Sequence, residues 1–219
     1  MIFPNVCVIC GRELVRGEKR VCMHCVLKAP VWMGSCDDLR AHRMPRTAPV
    51  EAVLPWLVYT NEDPFCNLIR RGKFNDRPDI IEELARRYAR KLMAEGRLVG
   101  VEALVPIPMH WWKRLLRGYN QSQLIAEAIT RESGIPVVNA LKAVRAHSVQ
   151  SRKSGEERVS NVKGIFSLRA NHKLENVNHI AIVDDILTTG STVSEGIGAL
   201  SGLPLSKITV LTLAATPGN

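Results

Sequence analysis

One short segment constrains the fold of this chain more than any other: residues 180–192, whose sequence is IAIVDDILTTGST. The four apolar residues at its start predict a buried strand of a parallel sheet, because both faces of such a strand are covered. Asp184 and Asp185 follow at the carboxyl end of the strand, where open α/β sheets bind ligands. A Thr/Gly/Ser turn then opens a helix from about Ser191, and the free N–H groups of a helix start can hold a phosphate.

Carboxylates beside a phosphate cradle suit a sugar phosphate, because they accept hydrogen bonds from ribose hydroxyls. The segment resembles the signature with which type I phosphoribosyltransferases bind phosphoribosyl pyrophosphate (PRPP), at every position that carries chemistry. The resemblance implies that Asp184 and Asp185 hold the ribose hydroxyls and help to place Mg²⁺. The alternative is an ordinary strand–turn–helix with a solvated Asp pair and a hydroxyl helix cap. The residues that would surround the 5′-phosphate are Leu187, Thr188, Thr189, Gly190, Ser191 and Thr192.

Length and charge bound the function. A chain of 219 residues allows one ordinary domain plus a small appendage, and its apolar runs are too short for a transmembrane helix. The N-terminus lacks the regions of a signal peptide, so we expect a cytoplasmic protein without membrane insertion. The net charge of +9 is uneven, since residues 101–170 hold eleven Lys/Arg against five Asp/Glu. This favours a polyanionic ligand such as PRPP, pyrophosphate or nucleic acid, and ordinary solvated charge is the alternative.

The N-terminal segment contains two Cys-x-x-Cys knuckles, separated by eleven residues. Each knuckle offers two thiolates at one corner of a tetrahedron, and a short hairpin containing Gly17 can bring the corners together. In a cytoplasmic chain, metal binding is favoured over disulfides. The pattern predicts a structural Zn²⁺, against the alternative of unrelated thiols, with the ligands Cys7, Cys10, Cys22 and Cys25.

The remaining patterns alternate between strand and helix. Strands are predicted at residues 53–59, 101–108, 136–144 and 207–213, and helices at residues 78–95 and 121–133. Such alternation predicts an α/β fold, with a parallel sheet that carries helices on both faces. The basic, proline-ended stretch of residues 40–46 is typical of a linker. We therefore expect a zinc-ribbon-like module in residues 1–46 and a second domain in residues 50–219.

The order of motifs along nearly the whole chain resembles the ComF/GntX family, competence-associated proteins often labelled as predicted amidophosphoribosyltransferases. The knuckles are followed by Lys-Phe at residues 73–74, Val-Pro-Ile-Pro at 105–108, Arg-Gly-Tyr-Asn-Gln-Ser at 117–122 and Arg-Val-Ser-Asn-Val at 158–162. The resemblance implies a type I phosphoribosyltransferase fold. It also implies a role in handling incoming single-stranded DNA during natural transformation.

Two basic regions are candidates for contacts to pyrophosphate or nucleic acid. Residues 111–117 follow a proline-stopped strand, where phosphoribosyltransferases place a pyrophosphate loop, and their tryptophans could stack on bases. The long loop of residues 145–159 has the position of the loop that closes over PRPP in active transferases. A core tryptophan with a solvated helix end, and a disordered basic loop, are the alternatives. The candidates are Trp111, Trp112, Lys113, Arg114, Arg117, Arg152, Lys153 and Arg158.

Two functions follow from these patterns. The first is a PRPP-binding, phosphoribosyltransferase-like protein that receives single-stranded DNA in the cytoplasm, with a DNA-uptake helicase or channel protein as its partner. The second is an active Mg²⁺-dependent phosphoribosyltransferase, in which a base or amine attacks PRPP at the anomeric carbon and pyrophosphate leaves. In that enzyme Asp184 and Asp185 would orient the ribose. The sequence names no base-recognition pocket.

Overall fold

The computed structural model describes residues 5–71, 77–109, 115, 118–144 and 164–217. Within these ranges the helices are α1 (Met23–Leu27), α2 (Cys36–Arg43), α3 (Pro64–Arg71), α4 (Pro78–Ala94), α5 (Gln121–Ser133) and α6 (Ser191–Ala199). The strands are β1 (Val50–Val58), β2 (Ala103–Pro106), β3 (Leu141–Ala143), β4 (Phe166–Leu168), β5 (His179–Leu187) and β6 (Lys207–Ala215).

The main sheet has four parallel strands in the order β1-β6-β5-β2. Strand β5 pairs with β6 as far as Leu187, which lies opposite Ala215. On its other side β5 pairs with β2 only as far as Val183, which lies opposite Pro106. The carboxyl-terminal part of β5 therefore extends beyond the end of β2. This leaves space at the sheet edge for a neighbouring element.

Alternate residues of β5 face two different cores, as the sequence of a doubly covered strand predicts. Ala181 and Val183 belong to the core under α4 and α5, whose interior includes Leu84 and Ile125. Ile180 and Ile182 belong to the core that contains residues of α2 and α6, listed as Leu39, Val193 and Ile197. The prediction of a parallel sheet with helices on both faces is confirmed.

Helix α5 spans the predicted residues, and local signals explain both of its ends. The Asn120 side chain accepts a hydrogen bond from the N–H of Ser122 at 3.2 Å and caps the start. Gly134 ends the helix with a φ of +76°, a left-handed conformation that glycine adopts at little cost. These caps fix where the first turn of α5 lies relative to the end of β5.

The predicted strand of residues 136–144 is shorter and changes direction. The Leu104 N–H donates to the Pro136 carbonyl, and the Val138 N–H donates to the Leu104 carbonyl. Both backbone groups of Leu104 are thereby used in one short bridge beside β2. The chain then turns, and β3 pairs antiparallel with β4 in a separate two-stranded sheet.

The prediction that residues 40–46 form a linker is wrong. Residues 36–43 form α2, in which the Ser35 hydroxyl accepts from the Asp38 N–H at 3.0 Å and caps the start. Leu39 and the following Met44 are buried against the sheet. This apolar contact, together with the cap, outweighs the basic composition that suggested a linker.

Candidate functional site

The four cysteines of the two knuckles lie close together. The Sγ atoms of Cys7, Cys10, Cys22 and Cys25 all lie within 4.8 Å of one another. The Cys7–Cys25 and Cys10–Cys22 sulfur pairs are 3.9 Å and 3.7 Å apart, far longer than a disulfide bond of about 2.05 Å. A tetrahedral Zn²⁺ with Zn–S bonds of about 2.3 Å holds its sulfurs roughly 3.8 Å apart. The cluster could therefore hold one metal ion such as zinc.

Backbone groups around the cluster stabilise negative charge on sulfur. The Cys22 N–H donates to the Cys7 Sγ at 3.3 Å, and the Cys25 N–H donates to the Cys22 Sγ at 3.5 Å. Burial opposes ionisation of Cys7, but backbone hydrogen bonds from Cys22, Cys10 and Ile9 outweigh it and lower the pKa of this thiol to about 6. Burial and the neighbouring thiols raise the pKa of Cys25. A thiolate at Cys7 is the form that a metal ligand requires.

The cysteine segment is joined to the sheet domain by apolar packing and by a hydrogen bond from a charged side chain. Leu14 and Val21 belong to the same core as the interior of α4. The Arg87 guanidinium donates to the Val21 carbonyl at 2.9 Å and to the buried carboxylate of Glu83 at 2.7 Å. The Arg87–Glu83 ion pair lies within α4, and it positions the guanidinium that bonds the Val21 carbonyl of the cysteine segment.

The two predicted carboxylates lie side by side in the last part of β5. Asp184 is 9% exposed, and Asp185 is half-buried. The Asp184 Oδ1 accepts from the Ser122 hydroxyl at 3.0 Å and from the Asp185 N–H at 2.9 Å. Ser122 is itself buried in the first turn of α5. The sequence argument missed this partner, although Ser122 belongs to the Arg-Gly-Tyr-Asn-Gln-Ser motif.

The loop after β5 enters α6 through Gly190. Gly190 has a φ of +81°, and a β-carbon at this position would lie 2.3 Å from the backbone oxygen of Arg43. The hydroxyls of Thr189 and Ser191 bond to each other, and the Ser191 N–H donates to the Thr189 Oγ1 at 3.4 Å. The first helical bond of α6 runs from the Ser194 N–H to the Gly190 carbonyl. The loop thus brings hydroxyls and helix-start N–H groups to the end of β5 that carries the Asp pair.

Arg43, at the end of α2, holds this loop in place through hydrogen bonds. Its guanidinium donates to the Leu187 carbonyl at 3.3 Å, to the Thr216 hydroxyl at 3.2 Å and to the Thr216 carbonyl at 2.8 Å. Its own carbonyl accepts from the Ser194 hydroxyl at 3.3 Å. Burial lowers the pKa of this guanidinium from its usual value. Arg43 was part of the predicted linker, so the sequence argument gave it no role at the site.

A cleft of about 820 Å³ lies beside the start of α5. Its wall includes Pro108, just after β2, and Asn120, which donates to the Ile107 carbonyl at 2.9 Å. Asn120 lies two residues before the Ser122 that bonds Asp184. The cleft and the support of Asp184 therefore share the start of α5, and neither aspartate lines the cleft.

Known proteins resemble this chain over most of its length. Competence protein F of Haemophilus influenzae is 33% identical over 156 residues, which cover 69% of this chain and 68% of that protein. The chain belongs to the ComF family. Competence protein ComFC of Bacillus subtilis is 29% identical over 195 residues, covering 88% of this chain and 70% of that protein. The DNA utilization protein YhgH of Salmonella typhimurium is 28% identical over 204 residues, covering 88% of each chain.

No protein-family model matches the chain. The family relationship therefore comes from these relatives. It confirms the family resemblance that the order of motifs indicated. Among the residues that the structure describes, no helix combines the length and apolarity needed to span a membrane.

The structure places Asp184 and Asp185 at the end of β5, with the predicted loop directly after them. The four predicted cysteines lie together in the N-terminal segment. The predicted pyrophosphate or nucleic-acid contacts lie outside the described residues. These are Trp111, Trp112, Lys113, Arg114, Arg117, Arg152, Lys153 and Arg158. Their assignment to pyrophosphate or nucleic acid stays a prediction.

Proposed function

We propose that this ComF-family protein binds Mg²⁺-PRPP where β5 meets α6, and that it handles single-stranded DNA in the cytoplasm during natural transformation. One arrangement carries the ligand part of the proposal. The buried carboxylate of Asp184, which accepts a hydrogen bond from Ser122, lies on β5. The same strand leads into the loop before α6, where Gly190 packs closely against the backbone of Arg43. Acceptors for hydroxyls and donors for a phosphate are both required by a ribose phosphate.

In this proposal Asp184 and Asp185 accept hydrogen bonds from the ribose hydroxyls. Residues 187–192 surround the 5′-phosphate with hydroxyls and with the N–H groups at the start of α6. Mg²⁺ bound near the two carboxylates would neutralise part of the pyrophosphate charge. A parallel sheet with its site at the carboxyl ends of the strands supports a type I phosphoribosyltransferase fold.

The DNA part of the proposal is supported by the names of relatives and by charge. Two of the relatives are named competence proteins, and a third is named a DNA utilization protein. The net charge of this chain is +9, which favours association with a polyanion. A DNA-uptake helicase or channel protein is the partner that this role implies.

The cysteine cluster is proposed to hold a structural Zn²⁺. Its sulfur spacings suit a tetrahedral ion, and its backbone donors suit thiolates. Three of these cysteines, Cys7, Cys22 and Cys25, belong to the core shared with α4. The metal would then stabilise the contact between the N-terminal segment and the sheet domain.

Fluorescence anisotropy of a labelled single-stranded oligonucleotide, across a salt series with and without Mg²⁺-PRPP, tests the proposal. We expect binding that weakens with salt, and a different affinity when Mg²⁺-PRPP is present, because the two ligands would be linked. Absence of binding at low salt would contradict the DNA role. Release of pyrophosphate in the presence of bases or amines would instead identify the active transferase.

A further inference from the structure

The cleft beside the start of α5 is bordered by elements that the proposed PRPP site does not use. Residues 137–143 and 169–173 form one side, and the start of α5 with Gln123 and Glu127 forms the other. We call this space the lateral cleft. Its volume of about 820 Å³ lies in the range of ordinary ligand sites.

The cations that line the lateral cleft form no ion pair with any residue that the structure describes. On α4 and nearby, Arg86, Arg87, Arg90 and Lys91 all form ion pairs with carboxylates. Within the described part of the chain, the three cations of the lateral cleft form none; these are Lys142, Arg169 and Lys173. Positive charge that none of the described carboxylates pairs with is available to an anionic ligand.

Among the described residues that line the lateral cleft, Glu127 supplies the acidic group. Glu127 accepts a hydrogen bond from the Gln123 side-chain amide at 2.9 Å, one turn earlier on α5. Arg169 is held at the rim, because its Nε donates to the Leu141 carbonyl at 3.1 Å. The described lining of the cleft therefore carries three cations against one carboxylate.

Neutral polar groups lie between these cations. Asn139 and Asn171 line the cleft with side-chain amides, which can both donate and accept. The Nδ1 of His172 accepts from the Leu174 N–H at 3.1 Å, so its Nε2 carries the proton in the neutral ring. Cations for phosphates, interleaved with amides and an imidazole, suit a chain of nucleotides better than a single compact anion.

We propose that the lateral cleft binds the sugar–phosphate backbone of single-stranded nucleic acid, with Lys142, Arg169 and Lys173 contacting successive phosphates. This inference rests on the proposed DNA role and gives that role a location. A strand in the lateral cleft would contact Asn120, which lies two residues before the Ser122 that bonds Asp184.

The test is the salt dependence of binding to labelled oligothymidine, measured on the full-length zinc-loaded protein. The variants are Lys142→Gln, Arg169→Gln and Lys173→Gln, singly and combined. Each lost phosphate contact lowers the slope of log affinity against log salt by about 0.7 for a single strand. We expect a slope reduced by about 2 in the triple variant, and at least a tenfold loss of affinity at about 100 mM salt.

Matched controls are Lys28→Gln and Arg97→Gln. Both residues are exposed and, like the cleft cations, have no ion pair in the described ranges. Arg97 lies at the opposite end of the sheet, beside His179. These controls should leave the slope unchanged. The Lys142→Gln variant should fold normally, because Lys142 is an exposed residue of β3.

The outcomes separate the inference from the function on which it rests. If the wild type fails to bind the oligonucleotide, the proposed DNA role fails. If the wild type binds but the triple variant keeps its slope, or the controls lower it equally, the lateral cleft is not the site. If the variants weaken binding of free pyrophosphate and leave oligonucleotide affinity intact, the cleft holds a small polyphosphate and the proposal is overturned.

Discussion

Arg43 fixes the shape of the proposed phosphate loop without belonging to it. Its guanidinium contacts two backbone carbonyls and one hydroxyl at the ends of β5 and β6. Its backbone oxygen lies against Gly190. Charged donors bonded to buried carbonyls are among the stronger hydrogen bonds of a protein, at about 1.5–3 kcal/mol each. Arg43 is therefore a positioning residue for the loop.

Replacing Arg43 by Met should loosen the loop and weaken binding of ribose 5-phosphate and of PRPP by about tenfold, the equivalent of about 1.4 kcal/mol. Binding of free pyrophosphate should stay unchanged, because pyrophosphate does not use the loop. Titration calorimetry with the three ligands measures this difference. Arg40→Gln, on the exposed side of the same helix, is the control. Equal weakening of all three ligands would indicate general damage.

Asp184→Asn tests the carboxylate that Ser122 holds. The amide preserves the shape of the side chain but removes the charge that would accept ribose hydroxyls and attract Mg²⁺. We expect a loss of PRPP affinity of about 10–100-fold, because hydrogen bonds to a charged group are worth about 1.5–3 kcal/mol. Calorimetry in Mg²⁺ buffer measures it, with a melting curve to verify folding. An unchanged affinity would remove Asp184 from the site.

At the scale of elements, the start of α6 depends on one glycine. Gly190 combines a positive φ with a close approach to the Arg43 backbone, and a methyl group there cannot avoid both penalties. Gly198, in the last turn of the same helix, has open space around it. The two glycines therefore form a natural pair for substitution.

Gly190→Ala should lower stability by more than about 1 kcal/mol and abolish the loop's affinity for phosphate. Gly198→Ala should raise stability by about 0.5–1 kcal/mol and leave ligand binding intact, since alanine restricts the unfolded chain. Denaturant unfolding and ribose 5-phosphate binding distinguish the two variants. A tolerated Gly190→Ala would mean that α2 does not press on this loop.

The N-terminal segment depends on its cysteine cluster in the same way. Metal analysis should find one zinc ion per chain, and Cys22→Ser should lose the ion and lower the melting temperature. Cys36→Ser is the control, because Cys36 lies outside the cluster and is only partly buried. Zinc retained by Cys22→Ser, or lost equally by Cys36→Ser, would contradict the assignment.

Sequence patterns predicted those elements that local chemistry determines. The caps Asn120 and Gly134 bound α5 correctly, and the apolar run before Asp184 gave β5. Helix α2 was missed because basic residues and prolines hid the Ser35 cap and the single buried face around Leu39. The contact between Arg43 and Leu187 joins residues 144 positions apart, and no local pattern encodes such a distance.

At the scale of the whole molecule, segments far apart in the sequence contribute to one structure around the sheet. The cysteine segment packs on α4 and β1, while the end of α2 holds the loop that would bind a phosphate. The lateral cleft lies along the start of α5. A ligand at the end of β5 is thus surrounded by elements from both halves of the chain. We expect zinc removal to weaken PRPP binding, which calorimetry before and after chelation measures.

The central claim is that the end of β5 binds a ribose phosphate, and calorimetric titration of the zinc-loaded protein with PRPP in Mg²⁺ tests it most directly. The account predicts saturable binding of one PRPP per chain that requires Mg²⁺ and is lost in Asp185→Asn, with melting behaviour unchanged. Binding that persists in Asp185→Asn, or no binding by the wild type at millimolar PRPP, would contradict it.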